Sequence, residues 1–231
     1  MKKVLMMVLL AVSFAASATT TVSDDKRKTD VVLSEGDEGD WTMHFGLGVN
    51  VPTGVDNGYQ FAPFKSWDVQ WTILSYDWNP NGGSQTYAVG FGLNWSNFGL
   101  KDDGNMFVKV GDNVVGLGLF DDNMTSRMSK VHRLAINIPL LFTQDFSRNF
   151  SLTLGPVINF NTGCWLHNSY DLGDNSFDIT TKKLEQRPVT VDIMGVFDIY
   201  GVGVFCKYSP MSVFKKNYGP KFSSLTFGLY F

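Results

Sequence analysis

Beyond the first forty residues, apolar side chains return at every second position in eight separate segments, the period of a strand with two unlike faces. These segments cover residues 41–51, 67–75, 87–95, 134–142, 152–160, 189–199, 202–208 and 225–231. On their apolar faces there is no Asp, Glu, Lys or Arg, although 18% of the chain is charged. A Lys or Arg at the middle of a bilayer costs about 2–4 kcal/mol on such a face, so exclusion of charge is what lipid contact requires.

Alternation alone is also satisfied by a soluble barrel of the lipocalin kind, which points its apolar face inward. The opposite face decides between the two. It carries Gly46, Gly48, Ala88, Gly90, Gly92, Ala135, Gly155, Gly203 and Gly228 among Thr, Ser and Asn, with few charges. A surface in water would be richer in Lys and Glu, whereas a narrow eight-strand interior takes small and hydrogen-bonding residues. The abundance of Gly (23) and of aromatic residues (14%) suits an all-β chain.

The connections follow a second pattern. Long segments (52–66, 100–130, 162–187 and the middling 209–221) alternate with short ones (79–85, 144–149 and 200–201). Outer-membrane barrels keep long extracellular loops on one side and short periplasmic turns on the other. The predicted fold is therefore all-β, an eight-stranded antiparallel up-and-down transmembrane β-barrel over residues 41–231. Pro139 and Pro156 fall inside predicted strands, where each removes a ladder hydrogen bond, and local bulges are expected there. Within the third connection, residues 107–110 and 114–120 flank Gly111-Asp112-Asn113 as a small hairpin expected to project outward.

Both ends of the chain fit that address. Met1-Lys2-Lys3, an apolar stretch at 4–15 and Ala16-Ser17-Ala18 read as a secretory signal peptide over residues 1–18. Residues 19–40 are polar and acid-rich, and are expected to form a flexible periplasmic tether. At the other end Leu225, Phe227, Leu229 and Phe231 alternate to the terminus, as expected of a closing strand that carries an assembly signal. The net charge of −3 offers no electrostatic support for nucleic acid.

Residues able to carry chemistry are sparse. His44, Asp68, Arg133, Asp192, Asp198 and Lys207 are assigned to the inward face, where charges must be paired. They are expected to form a polar network plugging the lumen; eight strands leave little room for a pore. His167 and Ser169 are the candidates for acyl-transfer catalysis, resembling the His-x-Ser arrangement of lipid A deacylases, but they fall in a polar stretch read as loop. Asp102-Asp103, Asp121-Asp122 and Asp171, Asp174 and Asp178 offer oxygen ligands without EF-hand spacing. Cys164 and Cys206 fall on non-adjacent strands and are expected to remain free thiols. No cofactor is expected.

Three short stretches, Leu134-Ala-Ile-Asn-Ile-Pro-Leu-Leu141, Leu154-Gly-Pro156 and Tyr208-Ser-Pro-Met211, together with the Phe231 terminus, resemble the outer-membrane β-barrel domain family common in Bacteroidetes-type bacteria. The resemblance spans essentially the whole of 41–231. It implies an eight-stranded meander and a terminal strand recognised by the barrel assembly machinery, and it carries no catalytic positions. The expectation is a monomeric, non-enzymatic protein of the bacterial outer membrane, in contact with its lipids and lipopolysaccharide. It would act in envelope structure or through its loops. A lipid-modifying enzyme and a narrow channel are the alternatives.

Overall fold

The alternating segments pair into a closed ring in a computed structural model, which describes residues 39–231 apart from 57, 81, 102 and 103. The expected leader and all but the last two residues of the expected tether lie outside the described residues. The strands are β1 (Asp40–Thr53), β2 (Trp67–Trp78), β3 (Gln85–Gly99), β4 (Asn105–Val110), β5 (Val114–Leu119), β6 (Thr125–Ser147), β7 (Phe150–Leu172), β8 (Asn175–Thr181), β9 (Val189–Ile199), β10 (Val202–Ser209) and β11 (Ser223–Tyr230). A 3-10 turn spans Pro63–Lys65, and the described residues contain no α-helix.

Eight of these strands pair antiparallel in the order β6-β3-β2-β1-β11-β10-β9-β7, and pairing of β6 with β7 completes the cycle. At the seam between β1 and β11, Gly46 faces Tyr230 and Thr53 faces Ser223. Beyond it Phe45 and Phe231 exchange two backbone hydrogen bonds of 2.8 Å. The glycines here permit close approach: a Cβ on Gly228 would lie 2.0 Å from the Leu47 carbonyl oxygen. The short turns gather at one end of the ring and the long connections at the other.

Bulges occur, but not at the prolines. Across Pro139 and Pro156 the register runs on without a shift, and the matched pairs pass from Pro139–Val157 to Phe142–Leu154. Gly90 leaves room for the Pro139 ring, which would lie 2.8 Å from a Cβ there. The register shifts instead around Ile73 in β2 and Thr162 in β7, each an extra residue against its partner strand. An extra residue inverts the alternation beyond it. Below Ile73, therefore, Leu74 faces outward and Ser75 is buried inside, where simple alternation had put Ser75 outside. Above Thr162, Cys164, Leu166 and Asn168 turn inward.

The third and fifth connections are more ordered than a loop reading implies. β6 and β7 continue well above the ring, and β8 adds to the upper part of β7 as a third strand. The β4–β5 hairpin folds back over the long-loop end instead of projecting from it. Phe107 and Val115 on its inner face are fully buried with Phe98, Leu100, Val131, Leu166, Phe214 and Phe222. Apolar burial outweighs solvation of a free hairpin here, because the open mouth supplies a wall of aromatic partners.

Candidate functional site

Inside the ring the side chains form layers. The long-loop end is closed by the apolar cluster around Phe107, and the lower interior by Val157, Met194, Val196 and Phe205 with Leu141 and Tyr230. Phe205 occupies the space left by the small residues of β1: a Cβ at Gly48 would come within 2.8 Å of its ring. Between these apolar layers lies the polar one.

Its centre is Asp68 on β2 and Lys207 on β10, whose Oδ1 and Nζ are 2.7 Å apart with both side chains almost wholly buried. Asn94 Nδ2 donates to both Asp68 oxygens at 3.0 Å, and Ser96 Oγ donates to Oδ2 at 2.6 Å. Arg133 on β6 adds a second cation, its Nη2 donating to Asn94 Oδ1 and Ser96 Oγ at 3.1 Å. Gln70 bridges to the lower layer through Met194 Sδ at 3.5 Å. The neighbouring Thr226 Oγ1 donates to Asn50 Oδ1 at 2.6 Å, tying β11 to β1 inside the seam. Each charge is tolerated only because these groups surround it; an unpaired one would carry most of its desolvation cost. The layer clamps four strands, β2, β3, β6 and β10, across the interior, and between the apolar layers it is shut off from solvent.

Of the six charged residues assigned to one network, Asp68, Arg133 and Lys207 come together. Asp192, two residues above Met194 on β9, is held apart from them: it accepts from Asn159 Nδ2 at 2.8 Å, and its Oδ1 has no hydrogen-bond partner among the described residues. His44 belongs to a separate group at the short-turn end. It meets Thr42 Oγ1 at 3.0 Å and stacks on Tyr230, while Asp77 accepts from Thr42 and Ser75. Asp198 is a turn residue: its Oδ1 accepts the Gly201 N–H at 2.9 Å. For His44 and Asp198 the assignment to one network fails because it rests on facing inward and ignores height along the ring; Asp192 is inside the ring but bonds to Asn159 instead. The uncharged members Asn94, Ser96 and Gln70 were passed over, although their inward phase was readable.

His167 and Ser169 stand on β7, not in a loop, and share its outer face. His167 Nε2 lies 3.5 Å from Asp178 Oδ1 on β8, an acid that is itself largely exposed. Among the described residues Ser169 makes no hydrogen bond to His167, so the pair lacks the nucleophile–base contact that activates a serine. The acidic groups serve locally where they are described: Asp121 caps the Asn123 N–H and Asp171 accepts from Ser176. Ser176 holds the Asp171 carboxyl below its ordinary range. Asp102 and Asp103 lie outside the described residues, and among those described no three His, Cys, Asp or Glu side chains converge on a metal position. Both cysteines are free, Cys164 buried inside and Cys206 half-buried on the outer face.

Leu225, Phe227 and Leu229 on β11, and Phe231 just after it, alternate on the outward side, with Phe227 and Leu229 about half exposed. They join an exposed apolar band that continues around the ring through Trp71, Phe91, Leu140, Leu154, Ile193 and Val204. No helix among the described residues is long and apolar enough to cross a membrane, a test that does not bear on strands. Comparison with known proteins finds no family model that matches this chain and no curated protein significantly similar to it.

Proposed function

We propose that the chain is a small non-enzymatic protein of the bacterial outer membrane. Its ring is a monomeric transmembrane β-barrel with a plugged interior, and it acts in envelope structure or as an interaction surface at its long-loop end. The observation that carries this reading is the inverted burial of the ring. Large apolar side chains stand half exposed on every ring strand, while Asp68, Arg133, Asp192 and Lys207 are buried inside. In water that arrangement would leave an apolar patch far beyond what monomeric proteins expose; in lipid it is the favourable one. A crossing strand needs about 9–11 residues; six of the eight ring strands have 11 or more, and β10 and β11 have 8 each.

The layered interior supports a wall more than a pore, since apolar clusters lie on both sides of the polar layer. The loop end supports contact with a partner: Val110 and Leu119 at opposite ends of the β4–β5 hairpin, and Phe177 and Ile179 on β8, are all exposed. The outward set on β11 suits recognition by the barrel assembly machinery. With its leader intact in a Gram-negative host, the protein should fractionate with outer membranes. It should migrate faster in detergent gels unheated than heated, and pass no steady current in a planar bilayer. Recovery as a soluble periplasmic protein would sink the reading; steady conductance through the monomer would overturn the plug.

A further inference from the structure

At the long-loop end of the outer face, three elements bring two lysines over a row of aromatic rings. Gly99 on β3 has no side chain, and the 3-10 turn packs onto that gap: a Cβ there would lie 2.9 Å from Lys65 Cβ. The turn is held by Lys65 N–H to Ala62 O at 3.0 Å, Ser66 N–H to Pro63 O at 2.9 Å and Gly99 N–H to Ser66 Oγ at 2.9 Å. Directly across from Gly99 on β6 is Lys130, and across from Lys130 on β7 is His167. Lys65 and Lys130 are both half-buried, and among the described residues neither meets a carboxylate within ion-pair distance. The charge of Lys130 is opposed first by its own burial and then by the nearby charge of Lys65. The carboxylate that reaches this row, Asp178, stands at its far end beside His167.

One step down the strands the character changes. His132 stacks on Trp165 at 5.4 Å with planes 14° apart, and Trp95 lies 6.1 Å from His132 and 5.3 Å from Trp67. Below these come Leu134 and the apolar band. Beside the cations, Phe64 of the same rigid turn is 98% exposed. Lysines that merely extend to water along a wall would be drawn apart by their mutual repulsion. Here the fold fixes two of them side by side, above rings that suit the polar–apolar boundary of a lipid layer.

We propose that this patch binds the phosphorylated headgroup of an outer-leaflet glycolipid. Lys65 and Lys130 take the phosphate, the Trp67–Trp95–His132–Trp165 row lies against the sugar and upper acyl region, and Phe64 enters the lipid beside them. The site rests on the membrane reading above and adds a ligand class to it. Charge-assisted contacts to phosphate oxygens supply the specificity, and the rings fix the depth.

The test uses the purified full chain in phosphatidylcholine nanodiscs doped with bisphosphorylated lipid A or with its dephosphorylated form, retained lipid being measured by native mass spectrometry. The wild type should retain the phosphorylated lipid preferentially. The K65Q/K130Q variant should hold it roughly 25-fold more weakly, two surface lysines each contributing about fivefold. K65R/K130R should restore retention, and heat-modifiable migration should be unchanged in both variants. Equal retention of the two lipids by the wild type, or undiminished retention by K65Q/K130Q, would overturn the site alone. A chain that cannot be embedded in the discs would overturn the membrane reading and the site with it.

Discussion

The middle and the top of the interior solve the same problem by different means. The middle layer fills the ring with Asp68, Lys207, Asn94, Ser96 and Arg133, a set in which each member depends on the others. The top fills it with Phe98, Phe107, Phe214 and Phe222, brought together from β3, the β4–β5 hairpin and the last long connection. Polar filling fails as a unit, because one lost partner leaves a buried charge; apolar filling fails by degrees, in proportion to the area lost. The middle layer is thus the part of the ring that must be right, and the top is the part that can move.

The sharpest way to break that contrast is Lys207→Met, which strands the Asp68 carboxylate. It should cost about 3–5 kcal/mol, read as a lower temperature for conversion of the compact gel form. Adding Asp68→Leu should recover most of the loss, and an unchanged conversion temperature in the single variant would show that the pair does not matter. Phe107→Ala should ease opening of the hairpin by about 3 kcal/mol. Faster proteolysis within residues 105–119 is expected, with the ring's own conversion nearly unmoved; a large drop for the whole ring would erase the distinction between the layers. Asn94→Ala removes a neutral member from beside two charges and should cost about 2 kcal/mol of ring stability. Less than half of that would place the strength of the layer in the ion pair alone. At the small end, Lys215→Gln breaks a 2.7 Å pair with Glu185 on the loop surface and should leave both gel conversion and proteolysis unchanged.

The ring itself was largely legible, because period-two alternation states which side chains share a face, and the lengths of the connections state which strand ends lie together. Two kinds of feature were not. Bulges at Ile73 and Thr162 invert the alternation without any Gly or Pro at the bulged position, so Ser75 was put on the wrong face. Pro139 drew a bulge that Gly90, on the facing strand, makes unnecessary. The second kind depends on height. Alternation tells inside from outside but not where along the ring a residue falls, so His44 and Asp198 were grouped with a layer they do not reach. The inward fold of the hairpin was hidden for a related reason: its apolar residues were visible, but the mouth that receives them is assembled from four distant segments.

Most junctions in the ring join strands that follow one another in the chain, or that are separated by one local excursion such as β4–β5 or β8. The seam differs, since it joins residue 46 to residue 230. Folding speed falls as contacts become less local, so the strand pairing of greatest sequence separation in this chain is concentrated in one event. Until it happens, β1 and β11 are the two free edges of a long curved sheet, each offering unpaired amides to any strand it meets. The Thr226–Asn50 hydrogen bond inside the seam is therefore among the last side-chain contacts to form. A chain stalled just before that step would resemble an aggregation template more than an unfolded protein.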